Sequence, residues 1–333
     1  IIVGRGKTDI LKLVLSNFIT RLHLVPYLQS RHEIDLNYDL LQASINRPLK
    51  RNYQTYCKFS HEQDTLGLFS LKKDRYVVIQ PGVYDPNCKI SKLGNEHLSP
   101  SYGILGETHD GVQSEFVCLD PIHLVPMPQS LTHKEASSIG LTFMTAYEML
   151  IKRSQIKKDD VILIYGGTSG VGSAAIQIAK DIGCRVISTC GSKEKVKHVE
   201  AMGVDFVLLH DLNLYSNLKH YLGDDRVNVV FEHIGAKTWK TSMRVLSKGG
   251  RIVTCGATTG SDVDINLSHL FFKNLSILGS TMGSVDTFNR VIEKMSSGQY
   301  KPIIDKVFDA SDVVNAHKYI EDRNNIGKVL LKF

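Results

Sequence analysis

Apolar positions in the second half of the chain fall into short unbroken runs separated by amphipathic stretches. The run at 161–165 has no polar interruption, as befits a strand buried on both faces. Gly167, Gly170 and Gly172 follow it, and the Ala/Ile-rich stretch behind them predicts an amphipathic helix to about residue 180. Strand, glycine turn and helix together make a dinucleotide-binding unit. The glycines let the backbone approach a pyrophosphate, and the helix N-terminus presents free N–H groups and a partial positive charge. A second apolar run, 184–189, comes at the distance a βαβ unit requires.

The alternation continues downstream. Helices are predicted at 193–202, 212–221, 237–246, 285–297 and 310–321, with strands at 206–209, 227–231, 251–255, 275–279 and 327–332. Gly249 and Gly250 are read as the cap that ends the third of these helices. Such a rhythm means a doubly wound α/β parallel sheet with its ligand at the carboxyl ends of the strands. Upstream, 75–80 reads as a strand and Pro81-Gly82 as the turn after it. A long loop over 82–106 leads to short strands at 107–120 and 123–126. Ser130 or Thr132 caps a helix, and a second helix covers 142–151. Residues 1–75 are glycine-poor and carry only weak helical patterns at 10–24 and 33–43. His61 and Glu62 there are read as a solvated loop pair rather than a metal site.

Composition narrows the class without changing this picture. The 333 residues suffice for two domains, and 42% hydrophobic with 22% charged residues is ordinary for a globular chain. The net charge of +6 is spread over 40 basic and 34 acidic residues, so no nucleic-acid partner is expected, while an anionic small molecule would be favoured. Cysteines 57, 88, 118, 184, 190 and 255 show no CxxC spacing, which suits free thiols in a reducing cytoplasm. The apolar stretch 10–25 is broken by Lys12, Asn17, Arg21 and His23, so neither a signal peptide nor a membrane partner is expected.

Four stretches together resemble the medium-chain dehydrogenase/reductases, a family of zinc alcohol dehydrogenases and zinc-free quinone reductases. They are 77–82, 102–107 with Asp110-Gly111, the glycine turn at 166–172, and 250–260 with 275–283. The resemblance covers about 74–333. It implies a GroES-like β-barrel catalytic domain over 1–128, a Rossmann NAD(P)-binding domain over 129–282, and a return to the catalytic domain over 283–333. Residues 1–73 match the family's glycine-rich barrel poorly. The resemblance also implies a homodimer in which the strand edge at 276–278 pairs across a two-fold axis.

Family members with structural zinc place four cysteines after Pro-Gly. In that register this chain has Asp85, Cys88, Ser91 and Ser99, a poor set for a tetrahedral thiolate site. The family's third catalytic zinc ligand falls on Leu141, and only Cys57 and His61 are of a suitable type for the other two. Zinc is therefore not expected, and without a Lewis acid plain alcohol oxidation is disfavoured.

The residues assigned to the cofactor are Gly167, Thr168, Ser169, Gly170, Val171 and Gly172 at the pyrophosphate. Cys255, Gly256, Ala257, Thr281 and Met282 are placed at the nicotinamide, with Tyr147 as a further wall residue. The position that would carry an acid to bond the ribose hydroxyls is Cys190, and Ser192, Lys193 and Lys195 stand ready for a 2′-phosphate. NADP(H) is thus favoured over NAD(H), with Glu194 speaking for NAD(H). His233 is read as a hydrogen-bonded structural histidine before an acid or base. The expected activity is zinc-independent hydride transfer to a quinone, enone or similar conjugated carbonyl compound, with no catalytic residue named. The alternatives are a zinc-dependent alcohol dehydrogenase and a non-catalytic NADPH-binding protein.

Overall fold

A computed structural model describes residues 76–114, 117 and 119–333. The helices expected at 10–24 and 33–43, together with Cys57, His61 and Glu62, lie outside the described residues.

The first described part is built of short antiparallel pairs. Strand β1 (Val77–Ile79) pairs with β4 (Leu124–Pro126), and β2 (Gly82–Val83) pairs with β3 (Gly103–Ile104). The lobe between β2 and β3 turns through two short 3-10 segments, Ser91–Leu93 and Glu96–Leu98. No strand forms among the described residues of 107–120, against the pattern-based expectation. There the amides of Glu107, Thr108 and His109 all turn back to the Ile104 carbonyl, which closes a tight turn instead of an extended ladder.

Helix α1 (His133–Ile139) starts at Thr132, whose hydroxyl accepts from Glu135 N while the Glu135 carboxylate accepts from Thr132 N. Ser130 is not the cap; its hydroxyl reaches Ser296 O at 3.0 Å. Helix α2 (Thr142–Tyr147) continues as a π-helical segment, Glu148–Arg153.

Next come β5 (Val161–Ile164), α3 (Gly170–Ile182), β6 (Arg185–Cys190), α4 (Val196–Glu200), β7 (Phe206–Leu209), α5 (Leu214–Leu222), β8 (Val227–Glu232), α6 (Ala236–Val245), β9 (Leu246–Thr254), α7 (Leu267–Phe272) and β10 (Ser276–Gly279). These strands form one parallel sheet in the order β10-β9-β8-β5-β6-β7. The order reverses at β5, where neighbouring crossovers leave to opposite faces and open a crevice for a ligand. The chain closes with α8 (Val285–Ser296), β11 (Ile304–Asp309), α9 (Val313–Glu321) and β12 (Lys328–Lys332), the two strands pairing in parallel.

The unbroken apolar character of β5 reflects burial on both faces. Ile162 and Ile164 pack into one core with Phe143, Ile176 and Phe288, while Val161, Leu163 and Tyr165 pack into another with Leu218 and Trp239. Cutting the fully buried Phe231 back to alanine would cost about 3–5 kcal/mol, as is typical for a core aromatic.

Gly249 and Gly250 are not a helix cap, which corrects the reading above. Helix α6 ends at Val245 with an extended Leu246 behind it, and β9 has already begun at Leu246. The register against β8 jumps from Leu246 to Arg251, so the two glycines lie in an excursion within the strand, with Gly249 at φ 71.

Candidate functional site

The glycine turn is tied to the sheet from both ends. Gly166, at φ 60, donates from N to Thr189 Oγ1 at 3.1 Å, and Gly167 N donates to Thr189 O at 2.8 Å. Ser169 caps α3 by accepting from Gly172 N at 2.9 Å. A Cβ at Gly172 would overlap the Gly166 carbonyl, and one at Gly167 would overlap the Ser188 hydroxyl. The turn therefore admits no side chain at Gly172, and one at Gly167 would have to displace the buried Ser188 hydroxyl. With Gly172 N satisfied by Ser169, the free amides of the first turn are those of Gly170 and Val171. These two residues and Ser169 are partly open to solvent, while Thr168 is buried. Amides and helix dipole together make a seat for a pyrophosphate.

One residue beside this turn comes from the far end of the chain and was missed by reading the sequence. Gly327 N donates to Thr168 O at 2.7 Å, bringing β12 against the turn. The next side chain, Lys328, runs alongside Gly170, where a Cβ would meet Lys328 Cδ at 3.0 Å. Desolvation pushes the Lys328 ammonium below its usual range, the mark of a cation held out of water. Only pairing of the tail with the glycine turn reveals it; no local pattern around Lys328 does.

The end of β6 carries no acid. Cys190 is fully buried, and its thiol reaches Ser192 O at 3.4 Å. Lys193 and Glu194 are exposed, and the Ser192 hydroxyl holds the Glu194 carboxyl below its usual range. Lys195 is more constrained than the sequence suggests. Its Nζ donates to Arg323 O at 2.6 Å and to Asn325 O at 2.9 Å, leaving one of three protons free. His210, at the end of β7, is a further neighbour that the sequence reading missed: its Nε2 lies 2.6 Å from Thr189 Oγ1.

If a dinucleotide sits with its pyrophosphate at β5 and its adenosine ribose at β6, its other half would extend over β8, β9 and β10. Three turns follow these strands. The β8 turn is tied down by His233, whose Nε2 donates to Tyr165 O at 2.9 Å and whose ring faces Gly166. Burial lowers its pKa, and the ring is committed to this bond. In the β9 turn, Gly256 and Ala257 are exposed, and the Cys255 thiol is pushed up to about 12 by burial. In the β10 turn, Thr281 is exposed whereas Met282, at φ 54, is 4% exposed and sits in the main core. Met282 thus supports the turn from below, and Tyr147 is half-buried against the same core.

The lobe at 82–106 brings the former metal positions together with the wrong donors. Cys88 Sγ lies 3.0 Å from Ser91 Oγ and 3.4 Å from Ser99 Oγ, and it accepts from Ser91 N at 3.3 Å. A thiol ringed by hydroxyls is a closed hydrogen-bond cluster, not a zinc ligand set. Leu141, 44% exposed, stands at the N-terminus of α2 with no donor to offer a metal. Among the described residues no group of three or more His, Cys, Asp or Glu is arranged to hold a metal ion.

Comparison with known proteins agrees with this architecture. The zinc-binding dehydrogenase family matches residues 170–297. The acryloyl-coenzyme A reductase of Sulfurisphaera tokodaii is 27% identical over 249 residues, covering 74% of this chain and 73% of that protein. The quinone oxidoreductase of Homo sapiens is 28% identical over 232 residues, covering 67% and 70%. A crystal structure of an NAD-dependent alcohol dehydrogenase superposes with a TM-score of 0.76 at 33% identity, covering 80% of this chain and 78% of that one. The glycine cradle, the reversed strand order and these relatives place the chain in the medium-chain dehydrogenase/reductase superfamily, as an NAD(P)-dependent oxidoreductase with a Rossmann sheet.

Proposed function

We propose that this protein is an NADP(H)-dependent, zinc-independent reductase acting on a quinone, an enone or another carbonyl-conjugated alkene. The observation that carries the reading is the pairing of a complete pyrophosphate seat with a β6 end that has Cys190, not a carboxylate, at the ribose-reading position. When bound, the nicotinamide would supply a hydride to the conjugated acceptor, and a proton from water would complete the reduction. The protein holds the pyrophosphate on the Gly170 and Val171 amides with Lys328 beside them. It receives a 2′-phosphate between Ser192, Lys193 and the remaining proton of Lys195. It also lines the nicotinamide end with the backbone of Cys255, Gly256 and Ala257 and with Thr281. Reduction of a conjugated acceptor depends on placement and a dry pocket more than on a dedicated nucleophile. The reductases among the relatives support this class of acceptor.

Zinc independence is supported by the serines around Cys88 and by Leu141. The likeness to an alcohol dehydrogenase makes a metal-dependent enzyme the competing reading. We further propose a homodimer paired along the open edge of β10, beside the exposed Phe271 and Phe272.

Titration of the purified protein with NADPH and with NADH, followed in the same cuvette by a small quinone and then an enone, tests the reading. Tighter binding of NADPH, oxidation on adding acceptor, and no zinc by elemental mass spectrometry are expected. Oxidation only after zinc is restored, or preference for NADH with turnover of an alcohol, would replace it with the alcohol dehydrogenase.

A further inference from the structure

Glu232 ends β8 with its side chain fully buried, and among the described residues no cation pairs with it. Its oxygens act only as acceptors. Oε1 takes Ile234 N at 2.7 Å and Gly235 N at 3.2 Å, while Oε2 takes the hydroxyls of Thr238 at 2.9 Å and Ser242 at 2.8 Å. Burying a carboxylate is costly unless its lone pairs are filled, and here four donors fill them. Two of the donors are backbone amides of the turn that enters α6 and two are hydroxyls on that helix, so one side chain fixes the turn to the helix. Ser242 Oγ also lies 3.1 Å from the Tyr165 hydroxyl, extending the cluster into the core that Tyr165 shares with Trp239.

The turn held in this way is the central piece of the platform. On one side His233 bonds Tyr165 O. On the other, Thr258 Oγ1 donates to His233 O at 3.0 Å, Thr259 N donates to Ile234 O at 2.8 Å, and Ala236 N donates to Gly260 O at 3.0 Å. Gly235, at φ 92, lies so close to the 257–260 loop that a Cβ on it would overlap the Gly260 carbonyl. The height of the 233–236 turn therefore sets the height of the exposed Gly256 and Ala257 backbone.

We infer that Glu232 is a positioning residue for the nicotinamide half of the cofactor, acting through the 233–236 turn on the Gly256–Ala257 backbone. This rests on the proposed function, which places that half over β8–β10. It distinguishes Glu232 from the pyrophosphate seat, which Glu232 does not touch.

The test uses the intact protein and two ligands. ADP-ribose 2′-phosphate carries the adenosine and pyrophosphate but no nicotinamide; NADPH carries everything. Energy transfer from the single tryptophan, Trp239, which lies on α6, reports NADPH binding, and calorimetry reports the fragment. In Glu232→Ala, fragment affinity is expected to stay within about twofold, while NADPH binding weakens and kcat with a quinone falls about 10- to 100-fold, the scale set by a misplacement of about 1 Å. Glu232→Gln keeps the shape and one carbonyl oxygen for the two amides, so it is expected to recover much of the loss and guards against a variant that fails to fold. Equal weakening of fragment and NADPH in both variants would reduce Glu232 to a general stabiliser, and unchanged NADPH binding and kcat in Glu232→Ala would also overturn the assignment. Failure of the unaltered protein to bind either ligand would instead sink the proposed function itself.

Discussion

Lys328, on the last strand, lays its side chain against Gly170, the first residue of the helix behind the glycine turn; a Cβ on Gly170 would touch Lys328 Cδ at 3.0 Å. The contact brings a basic side chain from the C-terminal tail to the N-terminal end of α3, where both would favour the same anion. Lys328→Met is expected to weaken NADPH and NADH alike, by about 1.5–3 kcal/mol for one charge-assisted hydrogen bond. Binding titrations of both nucleotides check it. A loss confined to NADPH would move Lys328 away from the pyrophosphate, which the two cofactors share.

Gly172 leaves no room for a methyl group, because its Cβ would run into the Gly166 carbonyl. Backbone cannot swing aside as the end of a flexible side chain can. Gly172→Ala is therefore expected to cost about 1–3 kcal/mol of stability by overpacking. It should also open the turn, lowering nucleotide affinity together with the melting temperature. Unfolding scans with and without NADPH measure both effects.

Cys88 is held down to about 7, first by the Ser91 hydroxyl, then by that of Ser99 and by Ser91 N, all of which donate to the thiolate. Burial pushes Cys184 and Cys255 the other way, to about 12, and also raises Cys190. The thiolate is the reactive form, and its fraction at Cys88 grows as pH rises through about 7. Iodoacetamide at pH 7.5 is thus expected to label Cys88 before those three, with a rate that rises with pH and levels off above 8. Peptide mass spectrometry over a pH series reads the midpoint, and Ser99→Ala should shift it upward.

Among the described residues β10 pairs only with β9, and Phe271 and Phe272 beside it are 59% and 73% exposed. An open, apolar strand edge of this kind invites pairing. Light scattering is expected to give a dimer, and Phe272→Asp combined with Ile277→Lys to give a monomer that still binds NADPH. A monomeric parent protein would remove the dimer from the proposal.

Local order alone carried much of this molecule. The apolar run 161–165 announced a strand buried on both faces, 227–231 announced a strand, and the spacing of Gly167, Gly170 and Gly172 announced the turn between strand and helix; at Gly172 the Gly166 carbonyl admits no Cβ. Thr132 with Glu135 could be read as a helix start for the same local reason. Where a short pattern had several uses, the reading failed: Gly249-Gly250 served a strand excursion and not a cap, and 107–114 folded into a turn on Ile104.

The tertiary structure decided what depends on distant partners. Lys195 is the right residue type for a phosphate, yet the carbonyls of Arg323 and Asn325 occupy two of its protons. Lys328 carried no local signal because it is placed by the tail docking on Thr168, and Glu232 carried none because its donors at 234, 235, 238 and 242 gather round it only once the turn and α6 have folded back. Sequence by itself determined the periodicities and the steric demands of the glycine turn, which are properties of neighbouring residues. Which charges are free, which are occupied and which side chains share a turn follows only from packing, since desolvation and hydrogen bonding act between groups that the chain separates and the fold brings together.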